Sequence, residues 1–261
     1  MDRHSFALVH SQTRILNRTM LRILILVAVG LCAAKCFAQE AKAPVDQLIP
    51  WLLDEDRQLR GIPFAEVILD TTGKRVLPVD PKNEIDQRVI KQISAAYDAT
   101  MKKLNASNSA IQSVARINEV SSHFEDSLRQ FLNAAPGLNC DFPHTDEGRV
   151  LRSGYPDLRI FDVASKRVFY LDPKLCVAGS RDSSFRAFYF EPKIATNKVR
   201  DDAVHFVVGF EHEPREKNGL WKFTRWDLVA LAQFKVKLKA EFQGSNRDMY
   251  RPEAIRATSS K

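Results

Sequence analysis

The stretch Gly154 to Cys176, GYPDLRIFDVASKRVFYLDPKLC, constrains the fold more than any other part of the chain. It reads as two short strands joined by a tight connection. From Asp157 to Val163 the side chains alternate: Leu158, Ile160 and Asp162 share one face, Asp157, Arg159 and Phe161 the other. Ala164-Ser165-Lys166 suits a hairpin loop, and Arg167 to Lys174 is rich in β-formers (Val168, Phe169, Tyr170, Leu171). Residues two apart share a face of a strand, so Asp172 and Lys174 point the same way. Antiparallel pairing of the two strands brings Asp157 towards Asp172. Two carboxylates and an ammonium then converge at one spot on a sheet.

That grouping has a chemical use. Two carboxylates can hold a hard divalent cation such as Mg²⁺ through oxygen, leaving its other positions for water and phosphate oxygens. Such a cation polarises a phosphoryl group and makes bound water more acidic. Pro156-Asp157, followed fifteen positions later by Asp172-Pro173-Lys174, resembles the PD-(D/E)XK signature of restriction-endonuclease-like nucleases. The resemblance covers about twenty residues and implies Asp157 and Asp172 as metal ligands and Lys174 beside the attacking water. One departure is Pro173, which offers no N–H to a central strand.

Two helices are predicted ahead of the hairpin. Asn83 to Leu104 carries Ile85, Val89, Ile90, Ile93 and Tyr97 on one side. About Ser109 to Ala134 carries Val114, Ile117, Val120, Phe124, Leu128 and Phe131. At 100° per residue Glu125 falls on the edge of that stripe, while Glu119 points away. The same nuclease family often carries a metal-assisting glutamate on the helix before its sheet, so the resemblance implies Glu125 as a third catalytic and metal-binding carboxylate. Further upstream, Val45 to Leu59 has helical spacing. Phe64 to Leu69 and Arg75 to Val79, flanking Thr71-Thr72-Gly73-Lys74, read as a small hairpin.

Residues 1–38 stand apart. Leu21 to Ala34 is mostly apolar but short for a membrane span, with Arg14, Arg18 and Arg22 before and at its start and Cys36-Phe37-Ala38 as a cleavage site. This predicts a signal peptide, an exported (periplasmic or secreted) protein with no stable membrane partner after cleavage, and a start at Met1 or Met20. Removing these residues lowers the net charge from +7 to about +3, so the basic balance does not by itself argue for nucleic acid. Cys140 and Cys176 would remain, and an even pair in an oxidising compartment predicts a disulfide.

Downstream, Phe185 to Phe190 and Val204 to Glu211 read as strands, the second apolar enough to be central. The loop Val177 to Ser184 places Arg181 where it could contact an anion. Arg167 to Lys174 is nearly echoed by Arg186 to Lys193, giving a rival pair Glu191 and Lys193. His205, His212 and the glutamates flanking His212 could be transition-metal ligands, although no H-E-x-x-H spacing is present. Trp221 to Phe234 is read as a strand or bend leading into a helix. Phe234 to Lys239 alternates strictly and sets Lys235, Lys237 and Lys239 on one face, a ladder able to neutralise phosphates or to protect an edge strand from aggregation.

The expected fold is α+β, or a three-layer α/β core: N-terminal helices followed by a mixed, mostly antiparallel sheet of about five strands, compatible with a restriction-endonuclease-like core. The expected division is a signal peptide over 1–38, a helix, small hairpin and helix over 39–108, an α/β core over 109–245 and a flexible tail over 246–261. Two functions are open to such a chain. One is an exported Mg²⁺- or Mn²⁺-dependent nuclease with nucleic acid as its partner. The other is a non-catalytic secreted or envelope binding protein with a degenerate nuclease-like fold. Nothing in the sequence signals an oligomeric state.

Overall fold

The computed structural model describes residues 44–54, 59–185, 187–216 and 219–259. The chain divides into two compact units, residues 1–57 and 58–261. In the first, helix α1 (Pro44–Asp54) is described; residues 1–38, where the signal peptide is predicted, lie outside the described residues. No described helix is long and apolar enough to cross a membrane.

The second unit is built on a six-stranded mixed sheet. Its strands are β2 (Val76–Leu77), β3 (Leu138–Asp141), β4 (Leu158–Asp162), β5 (Val168–Val177), β6 (Ala203–His212) and β7 (Phe223–Ala230). Strands β3, β4 and β5 form an antiparallel meander. β5 and β6 run parallel over ten pairs, from Val168↔Ala203 to Val177↔His212. The far edge of β6 is shared: β2 pairs parallel at its start and β7 antiparallel along the rest. A separate two-stranded sheet joins β1 (Arg60–Pro63) to β8 (Lys235–Lys237).

One face of the large sheet is covered by α3 (Glu84–Asn105) and α4 (Ile117–Ala134). Asn83 caps α3 by accepting from the Ile85 and Asp86 amides. Val89, Ile93 and Tyr97 of α3 and Val120, Phe124 and Leu128 of α4 pack on Leu158, Ile160, Phe169, Leu171, Phe206 and Phe210. Each such side chain contributes about 1.5–3 kcal/mol by leaving water. The opposite face is covered by α2 (Phe64–Thr72) with Val199, Phe188, Phe190 and Phe234. A final short helix, α5 (Asn246–Met249), lies where a flexible tail was expected.

Four expectations are corrected. Phe64 to Leu69 is helix, not a hairpin strand. Phe64 and Ile68 are buried one turn apart, the Thr72 hydroxyl donates back to Ile68 O, and Gly73 ends the helix at φ 68. The expected turn is thus a helix C-cap, and β2 pairs with β6 instead. Trp221 to Phe234 gives strand β7 where a strand or bend leading into a helix is expected; no helix follows, because the backbone completes the exposed edge of β6. The described residues of Phe185 to Phe190 form no strand; Phe188 and Phe190 pack against Phe64. The second helix begins at Ile117, preceded by a 3₁₀ turn at Ala110–Ser113.

Candidate active site

The register of β4 against β5 decides the site. Leu158 lies opposite Leu171, so the next positions out are Asp157 and Asp172. Both project to the face away from α3 and α4, since Leu158 and Leu171 project towards the helices. Asp172 is 2% exposed. Lys174, two residues on, brings Nζ within 2.5 Å of Asp172 Oδ2. The three groups paired in the sequence reading therefore meet.

Pro173 fits this strand without loss. The Asp162 amide donates to Arg167 O, so odd-numbered residues of β5 turn their backbone towards β4. At Pro173 that side is already past the end of β4 at Leu158, so no ladder bond is missing. The even-numbered positions turn their backbone towards β6, and the β5–β6 register continues through Val177↔His212.

Burial pushes the Asp157 carboxyl up to about 9, and the facing Asp172 adds to it through charge and a shared hydrogen bond; Lys174 opposes the shift. Burial pulls Lys174 down, but Asp172 and Asp157 outweigh it and hold the ammonium above the ordinary lysine value. Asp172 Oδ2 is buried and, apart from the Lys174 ion pair, makes no hydrogen bond of good geometry. Two oxygens forced together so that one keeps a proton, with a buried lone pair left over, suit a hard divalent cation.

Glu125 projects from α4 into electrostatic reach of Asp157. It is held by Arg152, whose Nη2 and Nε lie 2.8 and 3.2 Å from Glu125 Oε2. Among the described residues no three Asp, Glu, His or Cys side chains form a ready ligand group. Glu125 is instead paired with Arg152.

The sequence reading missed Lys198. It is 1% exposed, and its Nζ donates to Leu151 O at 2.9 Å and Gly154 O at 2.7 Å. Burial lowers its pKa, against the pull of Asp157, Asp172 and Glu125. Nothing about an isolated lysine in a polar stretch marks it beforehand.

The remaining candidates are engaged by other partners or lie apart from the three groups. Arg181 is engaged by Glu211 and Asp227, which lie close to Lys174 in register: Glu211 is opposite Cys176, and Asp227 is opposite Gly209, the partner of Lys174. Lys235 and Lys237 are exposed on β8, and Lys239 follows it beside Glu241. The expected disulfide is absent: Cys140 and Cys176 are both free. They sit on β3 and β5, with β4 between, and Cys140 faces the helices while Cys176 shares the face of Lys174. His212 packs edge-on against Trp221 and Phe223 in the core, while Glu211 pairs with Arg181, so the two do not converge on a metal. Glu191 and Lys193 pair with each other on the surface.

A mixed sheet flanked by helices, with two acids and a lysine meeting at the ends of β4 and β5, defines an α+β protein compatible with a restriction-endonuclease-like core. The profile of the type II restriction enzyme MjaV family matches residues 57–253, and the chain belongs to that family. It is 26% identical over 207 residues to the type II restriction enzyme MjaV of Methanocaldococcus jannaschii, an alignment covering 76% of this chain and 88% of that protein.

Proposed function

We propose that the chain is a metal-dependent nuclease that hydrolyses phosphodiester bonds of DNA at a PD-(D/E)XK site. The observation that carries this reading is the meeting of Asp157, Asp172 and Lys174 on one face of paired β4 and β5. Membership of a restriction-enzyme family supports it and favours DNA as the substrate. Asp157 and Asp172 would hold Mg²⁺ or Mn²⁺, with Glu125 joining once Arg152 lets it go. When bound, the metal supplies Lewis-acid polarisation of the phosphoryl group and a more acidic water. Lys174 donates from a fixed position beside Asp172, where its ammonium orients the attacking water and offsets the charge that builds on the phosphoryl oxygens. The carboxylates themselves repel a bare phosphate, so the substrate is accepted only with that charge balanced.

The test is cleavage of plasmid DNA with Mg²⁺ or Mn²⁺, beside Asp172→Asn and Lys174→Ala. Both variants should lose at least a hundredfold in rate, and a chelator should stop the wild type. Cutting that survives in Asp172→Asn would place the chemistry elsewhere or leave the sheet as a non-catalytic binding surface.

The exported location rests on residues 1–38 alone. The intact mass of the protein from its own cells should correspond to a chain beginning at Gln39. A mass that retains Met1 or Met20 removes that part of the proposal.

A further inference from the structure

The geometry points to Lys198 as a positioning residue for this site: it holds the strap Leu151–Gly154, and through it Asp157, in the place from which Asp157 meets Asp172. This rests on the nuclease reading above and adds a residue that the metal-site signature does not contain.

Lys198 belongs to the connection between β5 and β6, residues 178–202, whose described part holds no helix or strand. Its return limb is nonetheless fixed. Asp201 accepts from Arg159 Nε and Nη2 of β4 at 2.8 and 2.9 Å and from the Tyr170 hydroxyl of β5 at 2.7 Å. The Arg200 amide donates to the same hydroxyl, and Val199 is buried next to Lys198. Lys198 therefore projects from an anchor built on the two strands that carry the acids.

From that anchor it grips two carbonyls, Leu151 O and Gly154 O, on either side of Arg152 and Ser153. Gly154 stands at φ 78, a conformation glycine enters without strain. Two residues further on, Pro156 is buried, and Asp157 follows before β4 begins. Sheet pairing starts only at Leu158, so Asp157 is held by the ladder on one side alone. The strap supplies the other side. Arg152, in the middle of the strap, is the residue that clamps Glu125. Fixing the strap therefore sets two of the three carboxylates at once.

A neutral donor could satisfy two carbonyls. A buried ammonium is costly unless charge of the opposite sign is close. Here the neighbouring acids offset part of that cost, although burial remains the larger effect and still lowers the Lys198 pKa, so the two carbonyls carry the rest of what holds the lysine in place.

The experiment compares Lys198→Met and Lys198→Gln with wild type and with Asp172→Asn, using the full chain. Three quantities are read: Mn²⁺ binding by calorimetry without DNA, kcat and KM for plasmid cleavage, and thermal unfolding. Lys198→Met should weaken Mn²⁺ binding at least tenfold and lower kcat at least a hundredfold, with KM for DNA within threefold of wild type. Lys198→Gln keeps an amide donor for one carbonyl and should recover part of both losses. Wild-type Mn²⁺ affinity in Lys198→Met, or a change confined to KM, overturns the inference. So does failure of both variants to fold, since Lys198 is then a fold element. If wild type itself binds no Mn²⁺, or Asp172→Asn binds it as well as wild type, the nuclease reading fails first.

Discussion

His205 is wholly buried on β6, its ring packed against Tyr155, Tyr170 and Phe64, with Nδ1 2.7 Å from the Tyr155 hydroxyl. Burial pushes it down to about 3, and its Nε2 has no partner. The folded protein keeps this imidazole neutral, whereas the unfolded chain protonates it near pH 6.5. Between those two values the unfolded state binds more protons, so stability rises with pH across that window and is lost as pH falls below about 6.5. The loss from this one residue should reach roughly 3 kcal/mol by pH 4. Urea unfolding of wild type and His205→Gln at pH 7 and pH 4.5 checks it: the variant should lose less on acidification, whatever its stability at pH 7. At this scale Asp157, Asp172 and Lys174 were legible because strand alternation alone fixes which side chains share a face. Lys198 and Arg152 were not, because each acts through chain segments that no local period describes. The cysteine pair misled because residue parity and compartment say nothing of which face of which strand each thiol occupies.

Among the elements, the two long helices and the β4–β5 hairpin followed from periodicity, since each buries a continuous stripe or alternation. Phe64–Thr72 did not. A short apolar run fits a strand or a buried helix equally, and the choice falls to the partners: Phe64 meets Tyr155, Phe188 and Phe190 across the far face of the sheet. β7 escaped for a related reason, because its identity as a strand comes from the open edge of β6 and not from its own sequence. Strand β5 offers a direct test of this kind of reasoning. The missing N–H of Pro173 faces a side that β4 has already left, so restoring it adds no ladder bond. Pro173→Ala should lose only the restraint that proline places on the unfolded chain, about 1 kcal/mol or less. Metal-dependent cleavage should stay within a few-fold of wild type. A loss of several kcal/mol by urea unfolding would mean that the proline ring itself holds Asp172 and Lys174 in place.

For the molecule as a whole, the question is how a phosphate backbone would reach a site whose own carboxylates repel it. The small β1/β8 sheet lies on the favourable side. Phe234 and Val236 pack inwards on the same cluster as Tyr155 and Tyr170, on the face of the large sheet that bears Asp172 and Lys174, while Lys235 and Lys237 alternate outwards. Lys239 is drawn towards Glu241 and is the least available of the three. Each phosphate contact made by a lysine releases counterions and steepens the dependence of DNA binding on salt by about 0.9 in the logarithmic slope. Replacing Lys235, Lys237 and Lys239 together by alanine should therefore flatten that slope by about 2, read from DNA binding between low and moderate salt with Ca²⁺ in place of Mg²⁺. The variant's kcat for cleavage should be unchanged at low salt, because on this reading the lysines would hold the backbone without touching the reacting group. An unchanged slope would assign these lysines to keeping the small sheet from pairing with other chains, and the counter-charge for the substrate would then have to come from other basic residues of the surface.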